Sequence, residues 1–282
     1  MYQVVARKFL KRIPAVAVAA SILALAIPGV AKADDVEPLW TNVKKAGVLR
    51  CGAAVAPPYV IRDPMSGNYS GFFADLCRDF GQNVLKVKVQ FVDTTWDNIV
   101  AGLQANKWDL SIALNNTPER AKAISFSTAA SNYEVSFVYN KTNAKVGKKL
   151  VSLADIDKPG AVVAVMSGTS QDKAVSAVLK QAQIMRLPGI DETRLAVTSR
   201  RADFIADASD TNWIFSESHA DWAKTFVPNP ALAKQEVAFG IRKNTSPDDI
   251  AILDGYLKKK VASGAVNALI KKAVQETLAS SK

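Results

Sequence analysis

Along the chain, short apolar runs alternate with stretches in which apolar residues return every three or four positions. Phe72, Phe73, Leu76, Cys77 and Phe80 follow the second rhythm, which predicts an amphipathic helix that starts at Gly71 and ends before Val87. A short helix over 39–46, stopped by Gly47, and a strand over 48–51 precede it. Between strand and helix, residues 52–70 carry Pro57-Pro58 and Ser66-Gly67-Asn68 and are expected to form a loop. A strand over 87–92, a helix over 96–105 and a strand over 109–114 continue the alternation. After an apolar strand over 133–139 and a polar stretch over 140–149, the rhythm restarts. Strands are expected at 161–165, 184–187 and 202–206, and helices from about 170, at 191–197 and at 211–219. A last strand over 237–241 leads to helices over 248–262 and 266–278, separated by Gly264. Regular alternation of this kind predicts an α/β fold with largely parallel pairing, and the restart predicts a second lobe.

The polar turn Asn115-Asn116-Thr117-Pro118 follows the third strand and opens a helix carrying Glu119 and Arg120. Thr117 is suited to cap that helix and Pro118 to be its first residue. An arginine just inside such a helix presents a planar fork that matches a carboxylate at two points.

Residues 1–33 begin with Arg7, Lys8, Lys11 and Arg12, continue with an apolar run over 15–27, and end in Ala31-Lys32-Ala33. This order predicts a secretory signal peptide cut after Ala33, with an apolar run too short to span a bilayer. Its removal takes away five basic residues and no acidic ones, lowering the formal net charge from +10 to +5. The remaining charges of both signs are scattered, which argues against a nucleic-acid partner. One histidine, His219, and no Cys/His cluster argue against zinc or triad chemistry. The two cysteines, Cys51 and Cys77, remain in the exported chain, where an even pair predicts a disulfide.

The whole exported chain resembles the periplasmic solute-binding proteins for polar amino acids, the receptors of ABC transporters. The likeness is carried by Gly47-Val48-Leu49-Arg50-Cys51-Gly52 with Pro57-Pro58-Tyr59, Gly71-Phe72 with Asp75-Leu76, Trp96-Asp97 with Leu103-Gln104 and Trp108-Asp109. It continues through Thr117-Pro118-Glu119-Arg120 with Phe126-Ser127, Gly168-Thr169, Arg201-Ala202-Asp203 and Gly240-Ile241-Arg242-Lys243. The resemblance implies a two-lobed α/β fold of the type II periplasmic-binding-protein class, with two hinge crossings near 138–140 and 235–237. Lobe one would be residues 34–139 plus 236–282, and lobe two residues 140–235. It also implies a periplasmic monomer with no cofactor and no metal, which closes on an amino acid or similar small carboxylate and is read by a membrane permease.

By the same resemblance, Arg120 holds the ligand's α-carboxylate, helped by backbone N–H groups of Gly168 and Thr169, and Asn115 contributes near the α-ammonium. Tyr59 and Trp96 match positions that line the pocket with aromatic rings, while Trp108 is assigned to the core. The aspartate that usually meets the ammonium would fall at Ala208, five residues after Asp203. Asp207 is therefore the first candidate and Asp210 the second, given a bulged strand end or a longer turn, with Thr211 and Asn212 nearby. Ala53-Ala54-Val55-Ala56 offers no acid after the first strand, which favours a ligand with a neutral or apolar side chain. Some proteins on this scaffold resemble cyclohexadienyl dehydratases, in which an acid protonates a leaving hydroxyl. Asp172, Asp207 and Asp210 are the acids that could do so here.

Overall fold

The computed structural model describes residue 36, residues 38–146 and residues 149–280. The expected signal peptide lies outside the described residues.

Helix α1 (Leu39–Ala46) packs Leu39, Trp40 and Val43 inward and ends at Gly47, whose left-handed backbone turns the chain into β1 (Val48–Ala53). A small hairpin of β2 (Ile61–Arg62) and β3 (Tyr69–Ser70) follows, then α2 (Phe72–Asp79), which continues as one wide turn over Phe80–Leu85. Next come β4 (Lys88–Asp93), α3 (Ile99–Gln104), β5 (Leu110–Asn115), α4 (Pro118–Ala123), β6 (Ile124–Phe126) and β7 (Ser131–Asn140). The second alternation is β8 (Val162–Met166), α5 (Ser170–Val178), β9 (Gln183–Leu187), α6 (Ile190–Thr198), β10 (Phe204–Ala208), α7 (Ser209–Ser218) and β11 (Ala223–Phe226). Strand β12 (Lys234–Arg242) then leads to α8 (Pro247–Ala262) and α9 (Ala265–Ser280).

Hydrogen bonding runs along one path, β4-β1-β5-β12-β7-β10-β8-β9, with β6 added on β12 and β11 on β7. β1 lies parallel to β4 and β5, and β8 lies parallel to β9 and β10. The two parallel groups meet through antiparallel strands, because β12 pairs with β5 and β7 pairs with β10. Strand β7 serves both groups: Ser131–Val237 to Glu134–Lys234 are its pairs with β12, and from Val135 onward it pairs with β10.

Several features differ from the sequence expectation. The pairing is mixed and not largely parallel, since β7 and β12 run antiparallel to their neighbours, and the short strands β6 and β11 have no counterpart among the expected elements. The segment 52–70 is not wholly loop, because the Asp63 carboxylate accepts the backbone N–H groups of Met65 and Ser66 and so closes the β2–β3 hairpin. The strand expected at 202–206 runs two residues later. Asp203 is held before it as an anchor, its carboxylate accepting from Asn143 Nδ2 and Val162 N.

In the first group, α2 lays Phe72, Phe73, Leu76 and Cys77 on the sheet, and a disulfide joins Cys77 to Cys51 of β1. The bridge closes a 26-residue separation, so its removal should cost roughly 3 kcal/mol through the freed unfolded chain. The paired substitution Cys51→Ala/Cys77→Ala is expected to lower the melting temperature by roughly 10 °C. Unchanged melting would mean that the bridge adds nothing to stability.

Candidate functional site

The site is built where the C-terminal ends of β5 and β10 face the first turns of α4, α5 and α7. Thr117 caps α4, its hydroxyl accepting from Arg120 N at 3.3 Å, and Pro118 is the first helical residue, as the local sequence predicts. That short helix places the Arg120 side chain inward, only 6% exposed. Its Nη1 donates to Asn115 O at 3.3 Å and its Nη2 to Gly168 O at 3.2 Å. Burial weighs against its charge and lowers its pKa, as expected for a guanidinium removed from water.

Gly168 is the residue before the cap of α5. It takes φ +74°, and a Cβ there would lie 2.8 Å from Asp97 N, so only glycine fits this approach to the α3 side. Thr169 caps α5 with its hydroxyl, accepting from Asp172 N and donating to Met166 O. Ser167 Oγ donates to Asp97 and Lys173 pairs with Glu119, so the start of α5 is fastened to α3 and α4 around Arg120. A pocket of about 300 Å³ lined by Trp96, Asp97, Glu119, Arg120, Gly168 and Lys173 opens beside them.

A chain of polar groups runs inward from Arg120. Ser170 Oγ lies 2.8 Å from Asn115 Oδ1, 3.1 Å from Tyr133 OH and 3.1 Å from Gln171 Oε1. Gln171 then donates through Nε2 to Asp207 Oδ1 at 3.0 Å. Asn115 Nδ2 is buried and has no hydrogen-bond partner among the described residues. A buried amide donor left alone costs free energy, so this atom is suited to an acceptor brought in from outside.

Asp207 is buried near the end of β10. Desolvation raises its pKa to about 6, against the opposing pull of the Ala208 N–H, Arg194 and Gln171. β10 is regular to its last residue, pairing Asp207 with Ser136 and Ala208 with Val135, so no bulge brings the acid into place. Alternation puts Asp207 and Ala208 on opposite faces of the sheet, and Asp207 is on the face that α5 reaches. Asp210, in the first turn of α7, accepts from Tyr59 OH at 2.6 Å and from Thr211 N at 3.0 Å. Burial also raises its pKa and that of Tyr59. The Tyr59 ring meets Tyr133 edge to face at 6.0 Å.

The structure thus brings Arg120, Asn115, Gly168, Thr169, Asp207, Asp210 and Tyr59 to one locality. Trp96 stands at its border: its Nε1 donates to Val55 O at 3.4 Å, and its ring packs with Ile99, Leu103 and Met166. Trp108 is in the core, with its Nε1 on Ser111 Oγ. Thr211 and Asn212 position α7, the first donating to Pro57 O and the second to Ser136. Asp172 is taken by an ion pair with Arg186. Sequence reading missed Tyr133, Ser170 and Gln171. No local pattern marks them: Ser170, Gln171 and Asp172 read as an ordinary polar first turn, and only the fold shows that all three are buried.

Two donors, the Arg120 guanidinium and Asn115 Nδ2, therefore stand at one end of a line that finishes in Asp207, with Asp210 close enough to act on its charge. This arrangement suits a ligand with an anionic group and a cationic group. No set of acidic, cysteine or histidine side chains among the described residues could hold a metal ion, and no helix among them is long and apolar enough to cross a membrane.

The family model of the bacterial extracellular solute-binding proteins, family 3, matches residues 49–276. An octopine-binding periplasmic protein of Rhizobium meliloti is 27% identical over 209 residues, 66% of this chain and 69% of that protein. A probable amino-acid ABC transporter periplasmic-binding protein of Sinorhizobium fredii is 28% identical over 174 residues, which is 60% of this chain but only 56% of that one. Among solved structures, the ancestral amino acid-binding protein AncCDT-1, a precursor of cyclohexadienyl dehydratase, superposes with a TM-score of 0.74 at 30% identity. That match covers 83% of this chain and 99% of the ancestral one.

Proposed function

Because the chain belongs to the bacterial extracellular solute-binding proteins of family 3, and has the two-lobed α/β fold of periplasmic binding proteins, we propose that it is a receptor. It binds an amino acid or similar small carboxylate between its lobes and delivers it to an ABC permease. The observation that carries this reading is Arg120, a buried guanidinium beside the unpartnered Asn115 Nδ2 and facing the start of α5. Arg120 takes the ligand carboxylate and Asp207 its ammonium, with Asp210 beyond; Asn115, expected near the ammonium, presents an unpartnered donor, Nδ2, and so suits the carboxylate instead. Gly168 and Thr169 close over the carboxylate end, and Tyr59 and Trp96 line the walls. The named relatives are periplasmic binding proteins, which supports export of this chain by a leader over residues 1–33 and action in the periplasm; that it acts there as a monomer is part of the proposal.

Residues 34–139 plus 236–282 and residues 140–235 are the expected lobes. The change of pairing partner between Glu134 and Val135, and the start of β12 at Lys234, support boundaries a few residues earlier on both crossings.

A thermal-shift screen of refolded mature protein against amino acids and aromatic carboxylates tests the reading. A ligand at 100 to 1,000 times its Kd should add roughly 3 to 4 kcal/mol to stability. No shift with any of them sinks the receptor reading. Asp207, a buried acid with its pKa raised to about 6, is the group a dehydratase would need. Incubation with prephenate and arogenate is expected to yield no phenylpyruvate or phenylalanine.

Gly168→Ala probes closure separately. The added methyl group meets Asp97 in a left-handed turn, so ligand affinity should fall by roughly tenfold or more with an unchanged circular-dichroism spectrum. Unchanged affinity would show that α5 does not close against α3.

A further inference from the structure

The segment after β1 is bolted to the first group of elements by its backbone. Ala56 N donates to Val60 O at 2.9 Å and Val60 N to Ala56 O at 3.0 Å, which closes residues 56–60 into a tight loop. Helix α2 has no side-chain cap, so its first N–H groups need partners from elsewhere. The loop supplies them: Phe72 N donates to Pro58 O at 3.2 Å and Phe73 N to Tyr59 O at 3.0 Å. The buried Tyr59 ring packs on Phe72 and Phe73, with ring centres 5.0 and 6.4 Å away. The remaining carbonyl, Pro57 O, and the Tyr59 hydroxyl turn to the second group instead.

There they meet the first turn of α7. Thr211 Oγ1 donates to Pro57 O at 2.8 Å, and Tyr59 OH donates to Asp210 Oδ2 at 2.6 Å. Helix α7 is itself pinned within its own group, because Asn212 Nδ2 donates to both Ser136 O and Ser136 Oγ of β7 at 3.0 Å. Two pieces, each fixed in its own group, thus present matching donors and acceptors. Tyr59 and Thr211 are almost wholly buried, and a phenol on a carboxylate makes a short, charge-assisted bond of the stronger kind. The direct links at the start of α5, Ser167 to Asp97 and Lys173 to Glu119, lie at exposed side chains, where water weakens such pairs.

We propose that Pro57 and Tyr59, with Asp210 and Thr211, form a latch between the two groups that acts without a ligand, supplies part of the free energy of closing, and sets what fraction of the empty receptor is already shut. The inference rests on the receptor reading only in taking the two groups as the lobes that move. A ligand then binds a form whose population the latch fixes, and its apparent Kd is the intrinsic one divided by that fraction. Asp210 is thereby committed to closing, and the ammonium is left to Asp207.

Double electron–electron resonance on refolded mature protein without ligand tests it, with spin labels at the exposed positions Ala105 and Glu192, one on each group. The wild type should populate a short distance beside a long one. Tyr59→Phe should lower the short-to-long ratio by about tenfold or more, the worth of one hydrogen bond to a charged group, and Thr211→Val by about threefold. Asp210→Asn keeps a neutral acceptor for the phenol, so it should fall between wild type and Tyr59→Phe, and it serves if that variant does not fold. Tyr69→Phe is the control. Tyr69 also donates to an aspartate, Asp93, but both lie on the side of the first group, so the ratio should not change. A wild type with only the long distance overturns the inference, as does a ratio that Tyr59→Phe and Thr211→Val leave unchanged. An equal fall in Tyr69→Phe overturns it too, since it would mark general loosening. No ligand enters this measurement, so its failure leaves the receptor reading standing, and a failed thermal-shift screen leaves the latch to be judged on the distances alone.

Discussion

Arg120→Ala should remove most of the affinity for any α-carboxylate ligand. The wild-type guanidinium is buried, already committed to position by Asn115 O and Gly168 O, and set at the start of α4 by the Thr117 cap. Truncating a buried charged partner of this kind costs about 2 to 5 kcal/mol of binding, which is about 30-fold to several thousand-fold in Kd. The fold should survive. Burial of the guanidinium opposes its charge, so its removal relieves a desolvation penalty as it deletes two hydrogen bonds. Titration calorimetry checks affinity and far-ultraviolet circular dichroism checks the fold. Arg120→Lys keeps the charge and loses the two-point fork, so it should recover only part of the affinity. Wild-type affinity in the alanine variant would remove Arg120 from the site.

Asp207→Asn is expected to move stability and binding in opposite directions. Burial raises the Asp207 pKa to about 6, above the ordinary carboxylate value of about 4. The folded protein therefore holds this proton more tightly than the unfolded chain does. The stability linked to the protonated acid is fully present below about pH 4, and it is lost as pH rises through 6, a change of roughly 3 kcal/mol. Asparagine imitates the protonated acid at every pH. The variant should thus be more stable than the wild type above pH 6 by up to roughly 3 kcal/mol, with the gap closing toward pH 4. It should also lose affinity for an ammonium-bearing ligand by about 100-fold. In the wild type, affinity should decline below pH 6 as the proton competes with the ligand. Denaturant melts of both proteins at pH 4, 5, 6 and 8 measure the gap. A difference that is flat with pH would show that Asp207 titrates alike in both states.

Much of the fold was legible because its elements are long and periodic. The helix around Phe72, Phe73, Leu76 and Cys77 and the strand ending at Asn115 follow directly from apolar spacing. The turn that carries Arg120 was legible because capping chemistry is local: Thr117 and Pro118 act within four residues. Two-residue strands such as β2 and β3 have no period to detect, and β6 and β11 are short strands that exist by pairing with β12 and β7. The polar line through Ser170 and Gln171 was invisible for another reason. It joins residues 55 and 36 positions apart, and nothing local marks such partners. The register of Asp207 shows the limit of transferring a motif by counting. The strand is regular, and the acid lies on the face opposite Ala208 with no bulge beside it.

The passages between the two groups of strands have a mechanical consequence. Where the chain leaves one group in β7 and re-enters it in β12, the two segments run side by side, paired from Ser131–Val237 to Glu134–Lys234. Two loose threads would let the halves twist and slide on each other, whereas a hydrogen-bonded ribbon bends across its width far more easily than it shears. Motion at this place is thereby reduced to nearly one coordinate, like a strap hinge on a lid. If the proposed closure bends here, such a receptor would report occupancy as shut or open and would offer a docking protein few intermediate postures to mistake for either.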